Sequence, residues 1–447
     1  MSNETADATR DTDDAPSRRA RPGVLVVFSG AAPAFLPLPM TPKGVTIGRG
    51  PSDGALLPDE RLSRHHATIE YSHAQGWTVR DLGSRNGTFV DGQRLHGSAT
   101  FAAPKVVRAA DTLLVPCVDL TALPTSLRDG DIVVGARLAA ALATVARAAQ
   151  SSPTLLLRGE SGTGKENASR HFHALGPNRS GPFVAVNCAA IPEGLAERLL
   201  FGARRGAYSG AAADSEGHVQ AANGGVLLLD EGGELGLDVQ SKLLRVLETR
   251  EVVPLGASHG QHVDFRICVA THRDLREAVS EGRFRADLYH RIAPPEVVLP
   301  PLRERLDEIA EHVAAEVADV APSLRPHSKL VEACMLRAWP GNVRELRKEV
   351  RYAAVQAQAE GADRVRVEHL SPTAGRPFDA SAEEAPAQKR KGRAYVRWSE
   401  AVDRERIEQA LKAHGGNVAL AARALGMQRT QMYREMQRWS IPRPKRD

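Results

Sequence analysis

Apolar and polar residues alternate in short runs between residues 23 and 120, and Gly, Pro, Asp or Ser interrupts each run. Alternation with a period of two is typical of strands that bury one face. Several such strands at close spacing predict an all-β sandwich whose function lies on its loops. The predicted strands span residues 24–28, 45–47, 67–71, 77–79, 88–90 and 112–115.

The pattern changes after a predicted linker at residues 124–131. Apolar residues at helical spacing predict a helix over residues 138–149, and continuous apolar runs then predict buried strands. These runs cover residues 154–157, 183–187, 226–229 and 264–271. Buried strands combined with helices indicate an α/β domain.

The C-terminal residues 398–447 carry three apolar sets at helical spacing, with Gly426 as a turn, which predicts an all-α helix-turn-helix. The sets are Ile407, Ala410 and Leu411; Val418, Ala421, Ala422 and Leu425; and Met432, Met436 and Trp439. From residue 387 onward there are 15 Lys and Arg against 6 Asp and Glu, whereas the whole chain has a net charge of only +5. This segregated positive charge favours nucleic-acid binding over the alternative, a three-helix cap that binds nothing.

Composition sets the remaining bounds. A chain of 447 residues predicts roughly two to four domains. Residues 1–22 are polar and contain no apolar core of a signal peptide, so we expect a disordered head, and residues 376–397 are expected to be a linker. The chain contains no run of 18 apolar residues that could span a membrane, so a cytoplasmic protein is expected. The four cysteines are scattered, which argues against a metal cluster or a disulfide framework.

A phosphate-binding loop follows the strand predicted at 154–157. Its glycines let the backbone fold back so that free N–H groups and the start of a helix at Lys165 face an anion. The motif G-x-x-x-x-G-K by itself arises by chance about 0.07 times in a chain of this composition. The predicted ATP-binding residues are Gly159, Glu160, Ser161, Gly162, Thr163, Gly164, Lys165 and Glu166.

Two adjacent carboxylates end the apolar run at 226–229. Asp230 is predicted to hold Mg²⁺ at the carboxyl edge of the sheet, and Glu231 to polarise the attacking water. A buried strand that merely ends in acids would explain this pair in isolation. Together with the phosphate loop upstream, the pair predicts a nucleoside triphosphatase that uses Mg²⁺.

Five motifs resemble, in the same order, the AAA+ ATPase domain of bacterial enhancer-binding proteins, the activators of sigma-54-dependent transcription. They are Gly159–Glu166, Val186–Ala190, Gly206–Ala211, Asp230–Leu235 and Trp339–Leu346. The resemblance implies an ATPase domain over residues 131–375 with a helical lid from about residue 302. In that family the phosphate loop ends in Lys-Glu, which accounts for Glu166.

Further roles are implied by this resemblance alone. Asn187 would orient Glu231 according to the bound nucleotide, Thr271 would be the sensor I residue, and Arg344 the sensor II residue that contacts nucleotide in the same subunit. Arg285 and Arg291 would reach the γ-phosphate bound by a neighbouring subunit, so catalysis would require a homo-oligomeric ring. A hexamer is expected, and a heptamer is the alternative.

The loop implied to contact sigma-54 comprises Gly206, Ala207, Tyr208, Ser209, Gly210 and Ala211. Tyr208 and Ser209 keep the aromatic ring and the hydroxyl of the family loop. Leu199 and the pair Arg204 and Arg205 depart from the family pattern, which leaves open how hydrolysis is coupled to this loop.

The loops of the predicted sandwich resemble those of the forkhead-associated (FHA) domain, a module that recognises phosphothreonine. The resemblance implies that Arg49 and Ser63 bind the phosphate, Arg64 and Arg85 flank it, and Asn86 holds the peptide backbone. His66 would brace the loop. The ligand would be a phosphothreonine on a partner or on this protein's own head, where the candidates are Thr5, Thr9 and Thr12. The alternative is an FHA fold that pairs with a neighbouring domain and binds no phosphate.

Residues 415–434 resemble the Fis-type DNA-binding domain. The residues expected to face the major groove of double-stranded enhancer DNA are Gln428, Arg429, Thr430, Gln431 and Arg434.

These features predict an ATP-driven activator that binds upstream DNA, forms a ring and remodels sigma-54 RNA polymerase. Two alternatives stay open. One is a phosphopeptide-binding adaptor with a degraded ATPase, and the other is a DNA-bound AAA+ remodeller that ignores sigma-54.

Overall fold

The chain folds into several domains, seen in a computed structural model that describes residues 20–50, 57–129, 132–207, 213–377, 404–414 and 417–425, with residues 432, 436 and 441. An N-terminal β-sandwich and an α/β domain with a helical lid lie in one compact unit, Met1–Phe378, and C-terminal helices form a second, Asp379–Asp447. The expected multidomain fold class is confirmed. The expected head and linker lie almost wholly outside the described residues.

Antiparallel strands build the sandwich from two sheets. The strands are β1 (Gly23–Ser29), β2 (Ala32–Pro39), β3 (Val45–Ile47), β4 (Ala67–Ser72), β5 (Gly76–Asp81), β6 (Thr88–Val90), β7 (Gln93–Arg94), β8 (Ser98–Phe101), β9 (Val107–Ala109) and β10 (Thr112–Cys117). One sheet has the order β2-β1-β10-β9-β6-β7 and the other β3-β4-β5-β8. Side chains such as Val26, Ile69 and Leu114 fill the space between the sheets.

All six strands predicted in this region are present. The short strands β7, β8 and β9 were not predicted, and neither was the longer strand β2. Its sequence contains Pro33, Pro37 and Pro39, and proline cannot donate a ladder hydrogen bond. The strand is tolerated because it lies at the edge of its sheet and pairs only with β1.

A parallel sheet of order β14-β15-β18-β13-β19 forms the centre of the α/β domain. The elements are β11 (Arg128–Asp129), β12 (Ile132–Val133), α1 (Ala136–Ser151), β13 (Thr154–Arg158), α2 (Lys165–Leu175), β14 (Phe183–Asn187), α3 (Glu193–Phe201), α4 (His218–Ala221), β15 (Val226–Asp230), α5 (Leu237–Thr249), β16 (Glu251–Val252), β17 (Gln261–His262), β18 (Arg266–Thr271), α6 (Leu275–Ser280), α7 (Ala286–Ile292) and β19 (Glu296–Val298). Successive residues of β13 bury opposite faces, since Leu156 joins one core cluster and Leu155 the other. A sheet covered on both faces explains the continuous apolar runs.

The lid consists of α8 (Leu306–Val320), β20 (Arg325–Pro326), α9 (Ser328–Leu336), α10 (Asn342–Ala359) and β21 (Arg364–Val365). Short 3₁₀ turns occur at Leu120–Ala122, Cys188–Ala190, Gly232–Glu234, Leu302–Glu304 and Val367–His369.

The sandwich and the lid share one hydrophobic cluster. Its members include Leu25, Val27, Phe28, Val106 and Leu113 from the sandwich and Ile309, Val313, Val331, Met335 and Val350 from the lid. The sandwich therefore packs on the lid as part of the same compact unit. Domain pairing, which the sequence raised only as an alternative to phosphate recognition, is present.

The C-terminal unit contains α11 (Arg404–Ala413) and α12 (Val418–Ala424). Ile407, Leu411, Ala421, Ala422, Met432 and Met436 form its core, as the helical spacing predicts. Within the described residues, no helix is long and apolar enough to cross a membrane.

Candidate nucleotide and phosphopeptide sites

The phosphate loop lies between β13 and α2. Gly162 has a φ of 78° and Gly164 a φ of 102°, a conformation that side chains other than glycine rarely adopt. Lys165, the first residue of α2, is only 6% exposed, and its Nζ donates hydrogen bonds to the carbonyl oxygens of Gly159 at 2.9 Å and Glu160 at 3.3 Å. A buried ammonium held by carbonyl oxygens is positioned to meet an anionic phosphate.

The two predicted carboxylates lie next to this lysine. Lys165 Nζ is 3.7 Å from Glu231 Oε1. Glu231 has a φ of 52°, and such backbone strain in a residue other than glycine is frequent at functional sites. Burial and the neighbouring charge of Glu231 raise the pKa of Asp230 above its ordinary value.

The charge balance at this position fits a divalent cation. Asp230, Glu231 and Glu166 line the same cavity as Lys165, and their mutual repulsion contributes to the raised pKa of Asp230. Magnesium in nucleotide sites is usually held by one or two carboxylates together with phosphate oxygens.

Glu231 has a partner that the sequence did not identify. Its Oε2 lies 2.7 Å from His272 Nδ1. Burial disfavours the ionised form of Glu231, but the His272 hydrogen bond and the charge of Lys165 outweigh it and lower the pKa. Asn187, the predicted switch residue, instead accepts a hydrogen bond from Ala189 N at 3.0 Å, while Thr271 is buried at the end of β18 with its Oγ1 bonded to Arg273 N.

A cavity of about 690 Å³ opens beside the phosphate loop. Part of its lining is apolar and comes from residues on both sides of the start of α1, namely Ile132, Val133, Val134, Leu138 and Leu142. Lid residues, including Arg305, His312 and Arg344, close another side. A cavity lined by apolar residues and by a phosphate loop suits a planar base joined to a polyphosphate.

The lid touches the phosphate loop directly. Arg344 Nη1 donates to Ser161 Oγ at 3.1 Å, which places the predicted sensor II residue at the cavity. Asn342 is fully buried with a φ of 51°, and its Nδ2 donates to the Ser161 carbonyl at 3.0 Å. Arg305 Nη1 donates to the Thr163 carbonyl at 3.0 Å. Neither Asn342 nor Arg305 was predicted from the sequence as a site residue. Asn342 lies within the motif at 339–346, so the sequence alone could have identified it.

The two predicted arginine fingers lie outside the residues that line this cavity. Arg285 pairs with Asp287 at 2.7 Å, and Arg291 Nη2 donates to the Leu247 carbonyl at 2.9 Å. Their positions leave both arginines without a role in their own subunit's nucleotide site.

Of the predicted sigma-54 loop, the structure describes Gly206 and Ala207, and Tyr208, Ser209, Gly210 and Ala211 lie outside the described residues. Arg204 and Arg205 stand at the base of the loop. Arg204 Nη1 is 2.5 Å from Asp214 Oδ2, and Arg205 N donates to Asp214 Oδ1 at 2.8 Å. Asp214 thus joins the two ends of the loop. The Arg204 contact uses its side chain, whereas the Arg205 contact uses a main-chain N–H that any residue except proline would supply.

The predicted phosphothreonine residues come together at one end of the sandwich, on the loops after β3 and before β6. Arg49 N donates to the Ser63 carbonyl at 2.9 Å, Ser63 Oγ accepts from Arg85 N at 3.1 Å, and Asn86 Nδ2 donates to the Arg61 carbonyl at 2.6 Å. Arg49, Arg64 and Arg85 are exposed. Three exposed guanidinium groups beside a serine hydroxyl form an open, positively charged surface.

His66 braces this surface from behind, as predicted. Its ring is fully buried, Nδ1 accepts from Ser63 N at 3.2 Å and Nε2 lies 3.1 Å from the Gly87 carbonyl. Only a neutral ring with its proton on Nε2 satisfies both contacts. Burial lowers the pKa of His66, outweighing the Gly87 hydrogen bond and the nearby aspartates.

The predicted DNA-contacting residues Gln428, Arg429, Thr430, Gln431 and Arg434 lie outside the described residues.

Four protein families match the chain in sequence order. They are the FHA domain over residues 45–110, the Sigma-54 interaction domain over 132–298, the AAA+ ATPase lid domain over 303–387 and the bacterial regulatory protein Fis family over 399–439.

Curated relatives match part of the chain. The nitric oxide reductase transcription regulator NorR2 of Cupriavidus necator is 41% identical over 303 residues, which cover 63% of this chain and 57% of the relative. A Nif-specific regulatory protein of Herbaspirillum seropedicae is 43% identical over 52% of this chain and 44% of its own length. The chain therefore spans about half the length of these relatives. The crystal structure of NtrX from Brucella abortus in complex with ADP is similar with a TM-score of 0.51 and 25% identity, covering 71% of this chain and 70% of NtrX.

Proposed function

Since the chain belongs to the sigma-54-dependent transcriptional activators, with an added FHA domain and a Fis-type helix-turn-helix, we propose that it hydrolyses ATP to remodel sigma-54 RNA polymerase at promoters under the control of a phosphothreonine signal. The observation that carries the proposal is the meeting of Lys165, Asp230, Glu231 and the lid residue Arg344 around one cavity.

The cavity offers different linings to the base and to the phosphates of ATP. Its base would lie against the apolar residues Ile132 and Leu138, and its phosphates would lie in the loop, where backbone N–H groups and Lys165 would neutralise their charge. Asp230 would hold Mg²⁺, which would supply positive charge against the phosphates. Glu231 polarises the attacking water. Its Oε2 is bonded to His272 in this arrangement, so Glu231 must release His272 before it can bond to that water.

Hydrolysis is proposed to need a second subunit. Arg285 and Arg291 lie away from their own cavity, which supports their use on the γ-phosphate of a neighbour in a ring. An arginine supplied in trans accelerates phosphoryl transfer by about 10³–10⁵-fold in other nucleotidases. Coupling catalysis to assembly in this way makes activity depend on protein concentration.

The mechanical output is proposed to be the loop at 206–211, which touches sigma-54, while the helix-turn-helix tethers the ring to enhancer DNA. The Asp214 contacts of Arg204 and Arg205 support a loop anchored at its base. The FHA surface formed by Arg49, Ser63 and Asn86 is proposed to bind the phosphothreonine, on a partner or on the head of this protein.

In vitro transcription from a sigma-54 promoter with purified sigma-54 RNA polymerase tests the proposal. We expect ATP-dependent open complexes with the parent protein, and a Ser209→Ala variant that keeps most ATPase activity but fails to open the promoter. Ser280→Ala, which removes an exposed hydroxyl on α6, is the matched control and should open the promoter normally. ATP hydrolysis without open complexes on any sigma-54 promoter would favour a remodeller with another target. Absence of steady-state hydrolysis would favour an adaptor.

A further inference from the structure

The FHA domain contacts the lid through polar groups as well as through the shared apolar cluster. Arg108 on β9 and Glu332 on α9 are each 7% exposed and form an ion pair with Nε 2.7 Å from Oε2. In the turn between β9 and β10, Asp111 Oδ1 accepts a hydrogen bond of 2.5 Å from Ser328 Oγ, at the start of α9. Ser328 and Glu332 are four residues apart and share one helix face, so the β9–β10 hairpin grips one side of α9.

The same hairpin is bonded to the proposed phosphothreonine surface. Arg61 Nη1 is 3.1 Å from Asp111 Oδ2, and the Arg61 carbonyl accepts the 2.6 Å hydrogen bond from Asn86. Asp59, which is buried, accepts from Arg61 N and from Asp111 N at 2.9 Å each. Burial favours the neutral form of Asp111, but the Ser328 hydrogen bond and the Arg61 charge outweigh it and lower the pKa, so this residue is a carboxylate that holds both partners.

The far end of α9 leads to the nucleotide site. The Cys334 carbonyl accepts a hydrogen bond of 2.6 Å from Trp339 Nε1, and Trp339 is fully buried just before α10. Asn342, at the start of α10, is bonded to the phosphate loop through the Ser161 carbonyl. A continuous series of contacts, exposed at Arg61 and buried from Asp111 to Trp339, thus runs from the FHA surface through α9 to the loop that would hold ATP.

We propose that the Arg61–Asp111–Ser328 contact couples phosphothreonine binding on the FHA domain to nucleotide binding under the lid. This inference rests on the proposed function of both sites. Asn86 donates one N–H to the Arg61 carbonyl and has a second N–H and a carbonyl oxygen to offer a peptide, so a peptide that draws on this amide also acts on Arg61, whose side chain holds Asp111. Peptide binding therefore changes the contacts of Arg61, and through Asp111 it biases the position of α9. Arg61 and Ser328 are positioning residues in this scheme.

Coupling between two binding sites must be reciprocal, which makes it measurable without any activity assay. Calorimetry on the full-length protein measures the affinity for a library-selected phosphothreonine peptide with and without saturating ADP, and the affinity for ADP with and without peptide. We expect ADP to change peptide affinity by about fivefold or more, the usual lower size of allosteric coupling, and peptide to change ADP affinity by the same factor.

Two variants locate the coupling. Ser328→Ala removes the lid partner of Asp111, and Arg61→Gln removes its FHA partner while keeping the main-chain carbonyl that Asn86 uses. Each is expected to bind peptide and ADP singly but to lose the mutual effect, whereas Ser280→Ala keeps it. If Ser328→Ala proves unstable, the Arg61→Gln variant alone tests the coupling, because Arg61 is exposed and its replacement should not unfold the protein.

The outcomes are distinct. If the parent binds both ligands with no mutual effect, or if both variants retain the effect, the coupling proposal is overturned while the proposed function stands. If the parent binds the phosphopeptide no better than its unphosphorylated copy, or does not bind ADP, the proposed function fails and the coupling proposal fails with it.

Discussion

The protein presents two surfaces suited to phosphate, and they are built in opposite ways. In the α/β domain, the cation is a lysine only 6% exposed, and much of the cradle is main chain held at glycines with positive φ. In the sandwich, the cations are the exposed side chains of Arg49, Arg64 and Arg85 on loops. Both surfaces are supported from behind by a buried polar residue, Asn342 in the first and His66 in the second.

The difference follows from what each site is proposed to do. Chemistry on a phosphoryl group gains from fixed donors in a site that excludes water, where charges act strongly. Recognition of a peptide needs an open surface that a partner can reach, and a few charge-assisted hydrogen bonds supply the affinity. Loss of one group should therefore harm the enclosed site more than the open one.

The largest effect is expected at Lys165. Lys165→Ala removes the only lysine among the described residues that line the cavity, so ATP binding should be lost and hydrolysis should fall by at least about 10²–10³-fold. Glu231→Gln should still bind ATP, because the amide keeps the shape of the side chain, but should not turn it over. Equilibrium binding of a fluorescent ATP analogue and steady-state phosphate release measure the two steps separately.

Arg170→Ala is the matched control for Lys165. Arg170 lies on the same helix α2 but pairs with Glu166 at the surface, where both side chains are more than half exposed. Exposed ion pairs contribute about 0–1 kcal/mol, so hydrolysis should change little. Near-normal turnover by Lys165→Ala or Glu231→Gln would contradict the ATPase assignment.

An intermediate effect is expected at Arg49. A hydrogen bond to a charged group contributes about 1.5–3 kcal/mol, so Arg49→Ala should weaken phosphothreonine peptide binding by at least about tenfold. Calorimetry with phosphorylated and unphosphorylated copies of the same peptides measures this. Arg80→Ala, on the exposed side of β5, is the control and should bind like the parent. Equal binding by parent and Arg49→Ala would show that the FHA domain does not recognise phosphate.

The smallest effect is expected at His66 and depends on pH. Burial lowers its pKa in the folded protein, so its contribution to stability is fully present above the unfolded value of about 6.5 and is lost as the pH falls through the lowered pKa. Protonation would also remove the acceptor for Ser63 N. His66→Gln should therefore show a flatter loss of thermal stability between pH 6.5 and 5 than the parent.

His65→Gln is the neighbouring control for this pH dependence. The His65 side chain is exposed, so its variant should follow the parent curve in differential scanning calorimetry over the same pH range. Identical pH profiles for His66→Gln and the parent would mean that another group causes any acid lability of the sandwich.

Local sequence determined most of the secondary structure and much of each site. The glycines of the phosphate loop, the apolar run that ends in Asp230 and Glu231, and the alternating strands of the sandwich each follow from chemistry within a few residues. The edge strand β2 was not predicted because its three prolines argue against a strand. The prolines are tolerated because β2 lies at the edge of its sheet and pairs only with β1. His272 was not predicted because its role depends on contact with Glu231, 41 residues away in the chain.

The sequence by itself therefore determined the domains, their order and the side chains offered to phosphate, because these are properties of short segments. Tertiary structure alone decided that the sandwich rests on the lid, that Arg108 pairs with Glu332 across 224 residues, and that Asp111 joins Arg61 to Ser328. Contacts between distant segments leave no periodicity or motif in the sequence. Each partner is an ordinary polar or apolar residue in its own segment, and only the packing of the two segments makes it a contact.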